Sequence, residues 1–317
     1  VSNRHNLNVE GGDQKVRYGL GFNYGNNLGV MKGSDRNVIG GNVRLIYRLN
    51  RFSFSNNFSI DYSRNANNTV DFSAFSKMNP YYRKYDESGK ILRIVESFVN
   101  AFGPNTELYN PMYDYYLKSF NRGNNTEFRN NFEADWRLID ELRIRGRFSF
   151  AKGNSRGQIF SSPFANAYIN STTENKGRYT ESNGQTKNFD FDFTTSYGKA
   201  FGTKSYHTLN ALMGFRANLS QNELGSYSVA GYKDEEYWAP KFSMGYVAGS
   251  RPNYTFNDRR SLSYYSNVGY SYRNRYLFDF NYRVDGSSLF GLKNKFTFIV
   301  MFVYIMNRNS GFFFIIF

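Results

Sequence analysis

Cysteine is absent from this 317-residue chain, histidine occurs twice, and no helix-length apolar run precedes the C-terminal segment. The absence of cysteine excludes a disulfide framework and a thiolate site. The absence of a long apolar run excludes a helical membrane protein. No His-Glu-x-x-His pair occurs, and spacing alone assembles no Ser/His/Asp constellation around His5 or His207. We therefore expect no enzymatic activity, no cofactor and no metal site.

Aromatic residues are abundant in this chain. It contains 27 tyrosines and 32 phenylalanines, yet its mean hydropathy is -0.62. Asn, Ser and Gly occupy many of the positions between the aromatic residues. A negative average is compatible with a membrane β-barrel, because polar residues that face the lumen offset apolar residues that face lipid.

The alternation of apolar and polar residues is clearest in residues 259–291. Successive side chains of a β-strand point to opposite faces, so this segment predicts two strands, each with one apolar and one polar face. A turn at residues 273–275 makes the two apolar faces coincide. The predicted partners across it are Tyr272 and Tyr276, Tyr270 and Phe278, and Val268 and Phe280.

Four further hairpins follow from the same alternation. Their predicted turns are Gly12-Asp13, Asn50-Arg51, Ile139-Asp140-Glu141 and Gly202-Thr203. In the first hairpin, the pattern pairs Val9 with Val16. Five hairpins give about ten strands of about nine to thirteen residues, near the length with which a tilted strand crosses a bilayer. The prediction is an all-β fold, an antiparallel up-and-down transmembrane β-barrel segment.

The links between the predicted hairpins are long, whereas the turns within them are short. The long links cover residues 26–37, 63–125, 152–186 and 220–259. In an up-and-down sheet every second connection lies at the same end, so all the long links share one end. Outer-membrane barrels have this asymmetry, with short periplasmic turns and long extracellular loops.

The formal net charge of +14 raises the question of a nucleic-acid partner. A nucleic-acid interface would gather its basic residues on one face. Here they are spread over turns, loops and polar strand positions such as Arg143, Arg145 and Arg147. We expect no nucleic-acid binding, and assign the excess to lumen-facing arginines and to loop residues near anionic lipid headgroups.

Two motifs near the C-terminus resemble a known family. Tyr270-Ser271-Tyr272-Arg273-Asn274-Arg275-Tyr276-Leu277 precedes Arg283-Val284-Asp285-Gly286-Ser287-Ser288-Leu289-Phe290-Gly291. Together they resemble the SusC/RagA-like TonB-linked (TonB-dependent) outer-membrane transporters of Bacteroidetes. Asn79-Pro80-Tyr81-Tyr82 and Asn110-Pro111-Met112-Tyr113 look like two further landmarks of that family.

The resemblance implies that residues 1–295 form part of a larger barrel of about twenty-two strands, with the plug domain absent. It further implies an importer of oligosaccharides or peptides that is energised by the TonB complex. The implied partners are a SusD-like lipoprotein, outer-membrane lipid, and a glycan or peptide substrate. The alternatives are a passive porin, a surface-adhesion barrel, or a nonfunctional truncated product.

The candidate site residues divide into a motif and a loop set. Asp285, Gly286, Ser287, Ser288, Phe290 and Gly291 form the family motif, to which we assign a structural role. The long links supply the possible contacts to substrate or lid, which are Tyr81, Tyr82, Tyr113 and Trp238. The acidic run Asp234-Glu235-Glu236 lacks the alternating spacing of a Ca²⁺ loop, so we interpret it as a solvated loop.

Residues 296–317 break the pattern, because they are apolar at both parities. The segment is too short and too interrupted for a membrane helix. Its Phe, Ile, Met and Asn content is typical of an A/T-rich gene read out of frame. Our hypothesis is an aberrant, frameshifted tail, which genomic reads that give the same tail in frame would refute.

Overall fold

A computed structural model describes residues 2–67, 69–100, 103, 106–289, 296–308 and 311–316. Nearly all regular structure in it is β-strand. The strands are β1 Ser2–Gly12, β2 Val16–Leu28, β3 Asp35–Leu49, β4 Phe52–Asn67, β5 Ile94–Phe98, β6 Thr106–Tyr109, β7 Phe120–Arg137, β8 Leu142–Ser161, β9 Arg178–Phe201, β10 His207–Ala230, β11 Gly245–Tyr246, β12 Asn253–Tyr272, β13 Tyr276–Ser287, β14 Phe296–Arg308 and β15 Gly311–Ile316.

Helical structure is confined to short pieces. Two one-turn helices are α1 Phe72–Ser76 and α2 Pro111–Tyr115. Four 3-10 turns are Asn166–Tyr168, Thr173–Asn175, Thr203–Ser205 and Pro240–Phe242. Among the described residues, no helix has the length and apolar character needed to cross a membrane.

The main sheet has thirteen strands, and its order follows the chain. The path runs β1-β2-β3-β4-β7-β8-β9-β10-β12-β13-β14-β15, with β11 paired to β10 at the side. Every pairing is antiparallel, as in an up-and-down barrel wall. The hairpin of β5 and β6 forms a separate two-stranded sheet inside the longest link. This topology confirms the predicted fold class.

The predicted register of the hairpin across residues 273–275 agrees with the structure, whereas the turn predicted at Gly202-Thr203 is longer than expected and covers residues 202–206. Across residues 273–275 the partners are Tyr272 and Tyr276, Tyr270 and Phe278, and Val268 and Phe280, as expected.

The predicted pairing of Val9 with Val16 is wrong, because Val9 lies opposite Leu20. The turn comes later than expected, since the Asp13 carboxylate accepts hydrogen bonds at 2.7 Å from the backbone N–H groups of Lys15 and Val16. The shift moves each partner by an even number of residues and leaves both faces unchanged.

Several strands are longer than the predicted nine to thirteen residues, and most links are correspondingly shorter; the longer strands are β3, β4, β7, β8, β9, β10 and β12. Strands β9 and β10 have 24 residues each, and β8 has 20. The expected links 26–37, 152–186 and 220–259 shrink to residues 29–34, 162–177 and 231–252. Backbone hydrogen bonds continue along these polar strand ends, where no apolar alternation marks the strand. Only the link after β4 keeps nearly its predicted length.

Strands β14 and β15 come from the C-terminal segment that broke the alternation. The structure places them at the edge of the main sheet, where β14 pairs with β13. Phe280 and Phe302 have ring centroids 4.6 Å apart across that pairing. The segment therefore forms strands although its apolar residues occupy both parities.

The two faces of the main sheet differ in chemistry. The aromatic face is the one that carries Phe128, Phe150 and Phe189, and the polar face carries Arg147 and Asp192. On the aromatic face, ring centroids lie 5.7 Å apart between Phe128 and Phe150 and 4.7 Å apart between Phe150 and Phe189. Such cross-strand ring pairs contribute about 0.5–1.5 kcal/mol each. The aromatic rows therefore hold neighbouring strands in register.

A small buried cluster lies on the aromatic face at the end with the long links. Its members are Phe160, Tyr179, Val229 and Tyr232, and all are at most 6% exposed. Trp238 packs against the cluster from the link 231–252, with its ring centroid 5.9 Å from that of Tyr179. This cluster fixes the link 231–252 onto the ends of β8, β9 and β10.

Glu181 is a buried hydrogen-bond acceptor that connects β8, β9 and β10 at this end of the sheet. Its carboxylate accepts hydrogen bonds from Arg156 Nε at 2.9 Å and Tyr179 Oη at 2.8 Å. Asn183 and Tyr227 donate two more, at 3.2 and 3.1 Å. Burial alone would raise the pKa of Glu181, but these hydrogen bonds outweigh it and lower the pKa to about 2.

We predict that acid opens this buried cluster. Because the folded-state pKa of Glu181 is depressed, its stabilisation of roughly 3 kcal/mol is complete above the ordinary carboxyl pKa and disappears as the pH falls toward 2. Trp136 is the other tryptophan of the chain, so Trp136→Phe leaves Trp238 as the reporter. Its fluorescence emission should shift to the red between about pH 4 and 2.

The matched variant for this titration is Glu181→Gln. An amide cannot accept all four hydrogen bonds and leaves Arg156 without a counter-charge. We expect red-shifted emission already at neutral pH, with little further change on acidification. Emission that stays blue in acid for the protein with Glu181 would contradict the assignment.

Candidate functional site

A row of alternating charges crosses the polar face. Consecutive directly opposed residues of β7, β8, β9, β10, β12 and β13 form it. We name it the charged row, and its members are Glu133, Arg147, Asp192, Arg216, Ser263 and Asp285. The row exists because each strand places a polar residue at the same height on the same face.

Ion pairs link the charged row to its neighbours on the polar face. Arg147 Nη2 lies 2.8 Å from Asp192 Oδ1, and Arg216 Nη2 lies 3.0 Å from Asp190 Oδ1. Asp285 accepts from Arg283 Nε at 2.7 Å. The arginine side chains are half-exposed, at 51% for Arg147 and 58% for Arg216, so one side of each guanidinium remains open to a ligand.

Tyr265 extends this surface with an aromatic side chain that reaches the charged row. Its hydroxyl lies 3.5 Å from Asp192 Oδ2, so the side chain crosses from β12 over β10 to β9. The crossing needs Gly214, since a Cβ there would lie 2.1 Å from the tyrosine ring. A glycine on β10 thus permits a tyrosine on β12 to contact an aspartate on β9.

A groove of about 360 Å³ lies over the middle of the charged row. Glu133, Arg147, Asp192 and Arg216 line it, together with neutral polar residues such as Asn131 and Ser149. It therefore presents both signs of charge and many hydrogen-bonding groups. Such a surface can orient a polar solute by several weak contacts but offers no catalytic constellation.

The predicted family motif has a structural part and a charged part. Asp285 belongs to the charged row. Ser288 directly follows β13, where its N–H donates to the Arg260 carbonyl at 2.9 Å and its hydroxyl accepts from the Arg260 N–H at 3.0 Å. Ser287 Oγ accepts from the Leu289 N–H at 3.2 Å. Gly286 is buried in β13, whereas Phe290 and Gly291 lie outside the described residues.

The link after β4 folds into its own small unit around Asn110. The Asn110 side chain donates to the carbonyls of Leu92 at 2.8 Å and Lys84 at 3.3 Å, and accepts from Met112 N–H at 3.0 Å. The residue is only 2% exposed. Asn110 thereby caps α2 and joins it to the backbone of Lys84 and Leu92 earlier in the link.

A pocket of about 470 Å³, the loop pocket, lies between those segments. Its apolar lining includes Phe75, Pro80, Tyr82, Tyr115 and Tyr116. Tyr115 and Tyr116 were not among the predicted contact residues. Their adjacency to the second Asn-Pro segment was the available signal, but only the fold shows that the two segments meet.

The four predicted loop contacts lie in different surroundings. Tyr82 lines the loop pocket, and Tyr81 beside it is 92% exposed. Tyr113 lies under the Arg93 guanidinium, 5.1 Å from its ring centroid. Trp238 packs on the buried cluster instead, with the Arg122 guanidinium 4.9 Å from its ring centroid. The structure therefore brings Tyr81, Tyr82 and Tyr113 into one loop unit and separates Trp238 from them.

The acidic run in the link 231–252 is anchored rather than simply solvated. Glu235 accepts a hydrogen bond from the Ser162 hydroxyl at 2.7 Å, and Glu236 forms an ion pair with Lys118. These contacts join three links, which the solvated-loop interpretation did not foresee. No group of three or more residues suited to bind a metal occurs within the described ranges.

One segment matches the spacing of a hydrolase motif, but its position in the fold does not suit that role. Gly153-Asn154-Ser155-Arg156-Gly157 has the Gly-x-Ser-x-Gly spacing, but it lies inside β8 and forms no strand-to-helix elbow. His207 begins β10 at the opposite end of the sheet, where its Nδ1 lies 2.7 Å from Tyr270 Oη.

Two curated proteins are similar in sequence to this chain. TonB-dependent receptor P3 of Formosa agariphila is 28% identical over 173 residues, which cover 54% of this chain and 16% of that receptor. TonB-dependent receptor SusC of Bacteroides thetaiotaomicron is 21% identical over 317 residues, which cover 93% of this chain and 30% of SusC. The chain thus spans less than a third of these relatives. No family model matches the sequence.

Solved structures show the same fold. The RagAB peptide transporter has a TM-score of 0.74 at 18% identity, over 96% of this chain and 34% of the matched chain. The ferric citrate transporter FecA has a TM-score of 0.54 at 8% identity, over 98% of this chain and 40% of FecA.

The sheet therefore shares the fold of these transporters, and its sequence is similar to part of two receptors of the TonB-dependent class. Within that class, the sequence is similar to the SusC/RagA-like receptors, which confirms the resemblance drawn from the motifs.

We predict a measurable coupling between Arg147 and Asp192. Their ion pair is partly exposed, so a double-mutant cycle with Arg147→Gln and Asp192→Asn should give a coupling free energy of about 0.5–1 kcal/mol. Urea unfolding of the folded protein measures it. The control cycle combines Arg147→Gln with Asp140→Asn, whose partner is Arg51 in a distant turn. That cycle should be additive, and additivity in both would contradict the charged row as an interacting unit.

Proposed function

We propose that this chain is part of a TonB-dependent outer-membrane importer of oligosaccharides or peptides that works with a SusD-like lipoprotein. The observation that carries the proposal is the two-faced antiparallel sheet, aromatic on one side and charged on the other, in an unbroken up-and-down order. In this proposal the aromatic face contacts lipid. The polar face then lines the lumen, and its charged row contacts the solute in transit.

The exposure of apolar side chains on the aromatic face supports this arrangement. Large apolar side chains of the aromatic face are exposed in the isolated chain, for example Leu20 at 51%, Met213 at 53% and Phe278 at 57%. Surfaces of this kind mark contact with lipid or with another protein. Backbone groups inside a bilayer must be paired within the sheet, and a closed barrel of many strands meets that requirement.

The link after β4 supports the proposed partnership with a lipoprotein lid. Its fold is held to the next link, because Arg93 donates to Asn166 Oδ1 at 3.0 Å and Asp114 Oδ1 accepts from the Asn166 N–H at 2.8 Å. The two links form a joined surface, with Tyr81 and the loop pocket exposed on it. In this proposal that surface contacts the SusD-like lid, and the TonB complex energises the full-length protein.

A passive porin is the alternative function, and an experiment must distinguish it from an energised importer. The test uses cells that carry the full-length protein containing this chain, with deletion and complemented strains. Uptake of fluorescent oligosaccharides and peptides is measured with and without a protonophore. An importer energised through TonB loses uptake when the proton gradient collapses, whereas diffusion through a porin does not depend on it.

We predict that reversing two charges of the row impairs uptake. Arg147→Glu with Arg216→Glu replaces alternation by a continuous acidic stretch, and uptake should fall at least about fivefold at equal surface display. Arg51→Glu, in the turn between β3 and β4, is the matched control and should leave uptake unchanged. Uptake that resists both the protonophore and the double reversal would contradict the proposed function. Failure of a SusD-like lipoprotein to copurify would contradict the proposed partnership.

A further inference from the structure

The apolar band of the aromatic face ends in a lysine pair. On β8, the residue that follows Phe148 and Phe150 on this face is Lys152. On β9 the residue beyond Phe191 and Phe189 is Lys187. Lys152 and Lys187 lie directly opposite each other in the register of β8 and β9. Two cations therefore sit side by side where the apolar surface stops.

This lysine pair has no counter-charge among the described residues. Neither ammonium group lies within 4.0 Å of a carboxylate, and both residues are partly buried. Three carboxylates of the same face lie near these strands, and each has another partner or position. Asp258 pairs with Arg260, Glu181 pairs with Arg156, and Glu223 of β10 lies only diagonally from Lys187. Like charges directly opposite in a sheet destabilise it, so an anion between them would relieve the repulsion.

An apolar groove of about 860 Å³ lies on the short-turn side of the lysine pair. It is lined on this face by Phe189, Phe191, Ala217, Leu219 and Leu262, and Arg260 lies at its other end. The groove forms because Ala217 is directly opposite both Phe191 and Leu262. A small side chain between two large ones leaves room for a hydrocarbon chain.

A polar pocket of about 470 Å³ lies on the other side of the lysine pair. Asn154, Arg156, Asn183, Gln185 and Glu223 contribute to it from the same face. Along one face the order is thus hydrocarbon groove, paired cations, and a pocket of amide and charged side chains. A phosphorylated glycolipid in a membrane leaflet has this order by depth, with acyl chains in the membrane, phosphates at its boundary and outer sugars in water.

We infer that this face holds one phosphorylated glycolipid of the outer leaflet, of the lipid A type. Its phosphate lies between Lys152 and Lys187, an acyl chain lies along Ala217, and its sugars face the polar pocket. The inference rests on the proposed function in one respect, namely that the aromatic face contacts the outer membrane. It concerns the wall of the barrel and not the transported solute.

The test is a lipid titration of the full-length protein, purified from the outer membrane in detergent and stripped of lipid. Binding of diphosphorylated lipid A is followed by native mass spectrometry. Lys152→Ala with Lys187→Ala should weaken binding about tenfold or more, because two charge-assisted contacts are lost. Lys152→Arg with Lys187→Arg should retain it. Ala217→Phe, which fills the groove, should also weaken it.

Two controls separate a lipid site from general charge attraction. Lys199→Ala with Lys204→Ala removes two lysines near the short-turn end of β9 and should leave binding unchanged. Phosphate-free lipid A should bind the unmodified protein as weakly as diphosphorylated lipid A binds the double alanine variant. Heat-modifiable migration on gels verifies that every variant is folded.

Three results would overturn the inference. They are equal binding by the double alanine variant, equal binding of phosphate-free lipid A, and inorganic phosphate that binds as tightly as the lipid, which would indicate an adventitious ion only. Solute uptake is measured separately on the same variants. Loss of lipid with intact uptake supports the lipid site alone, and failure of uptake in the unmodified protein contradicts only the proposed function.

Discussion

Side-chain alternation along unbroken strand pairs is the constraint on which the rest of this structure depends. Within the described part of the main sheet, no pairing shows a register shift, so every residue keeps its face from one strand end to the other. A single slipped residue in β9 would carry Phe189 and Phe191 to the polar face and Asp190 and Asp192 to the aromatic face. Both surfaces would be lost together.

The same constraint organises the two faces as rows that run across strands. On the polar face, Glu133, Arg147, Asp192 and Arg216 alternate in charge, and each has an oppositely charged group of the same face within 4 Å. On the aromatic face, Lys152 and Lys187 are two like charges that lie directly opposite each other, and no described carboxylate forms an ion pair with either. The first arrangement is complete within the chain, and the second is completed by an anion from outside it.

Much of this architecture follows from alternation and turn residues alone. The hairpin across residues 273–275 was predicted residue by residue, because one face is apolar at nearly every position. The first hairpin was misplaced because Asp13 sets the turn through its own side chain, a contact that apolar periodicity does not register. The extensions of β8, β9 and β10 were missed because their Asn, Gln, Ser and Gly residues carry no apolar period.

The candidate sites were harder to predict than the fold, because they are made by residues distant in sequence. Arg147 and Asp192 were each assignable to a polar strand position, but only the register of β8 and β9 makes them partners. Trp238 was chosen for its exposed-loop setting, and the fold packs it on Tyr179 instead. Tyr82 was chosen on the same grounds and does line a pocket, together with Tyr115 and Tyr116.

The central claim is that lipid covers the aromatic face and water covers the polar one. Because the chain has no cysteine, single cysteines at Phe278 and Asn281 can each carry a spin label without a competing thiol. These positions lie three residues apart on β13 and point to opposite faces. In membranes, the label at Phe278 should be relaxed by oxygen and the label at Asn281 by a water-soluble nickel complex. The reverse pattern would contradict the account.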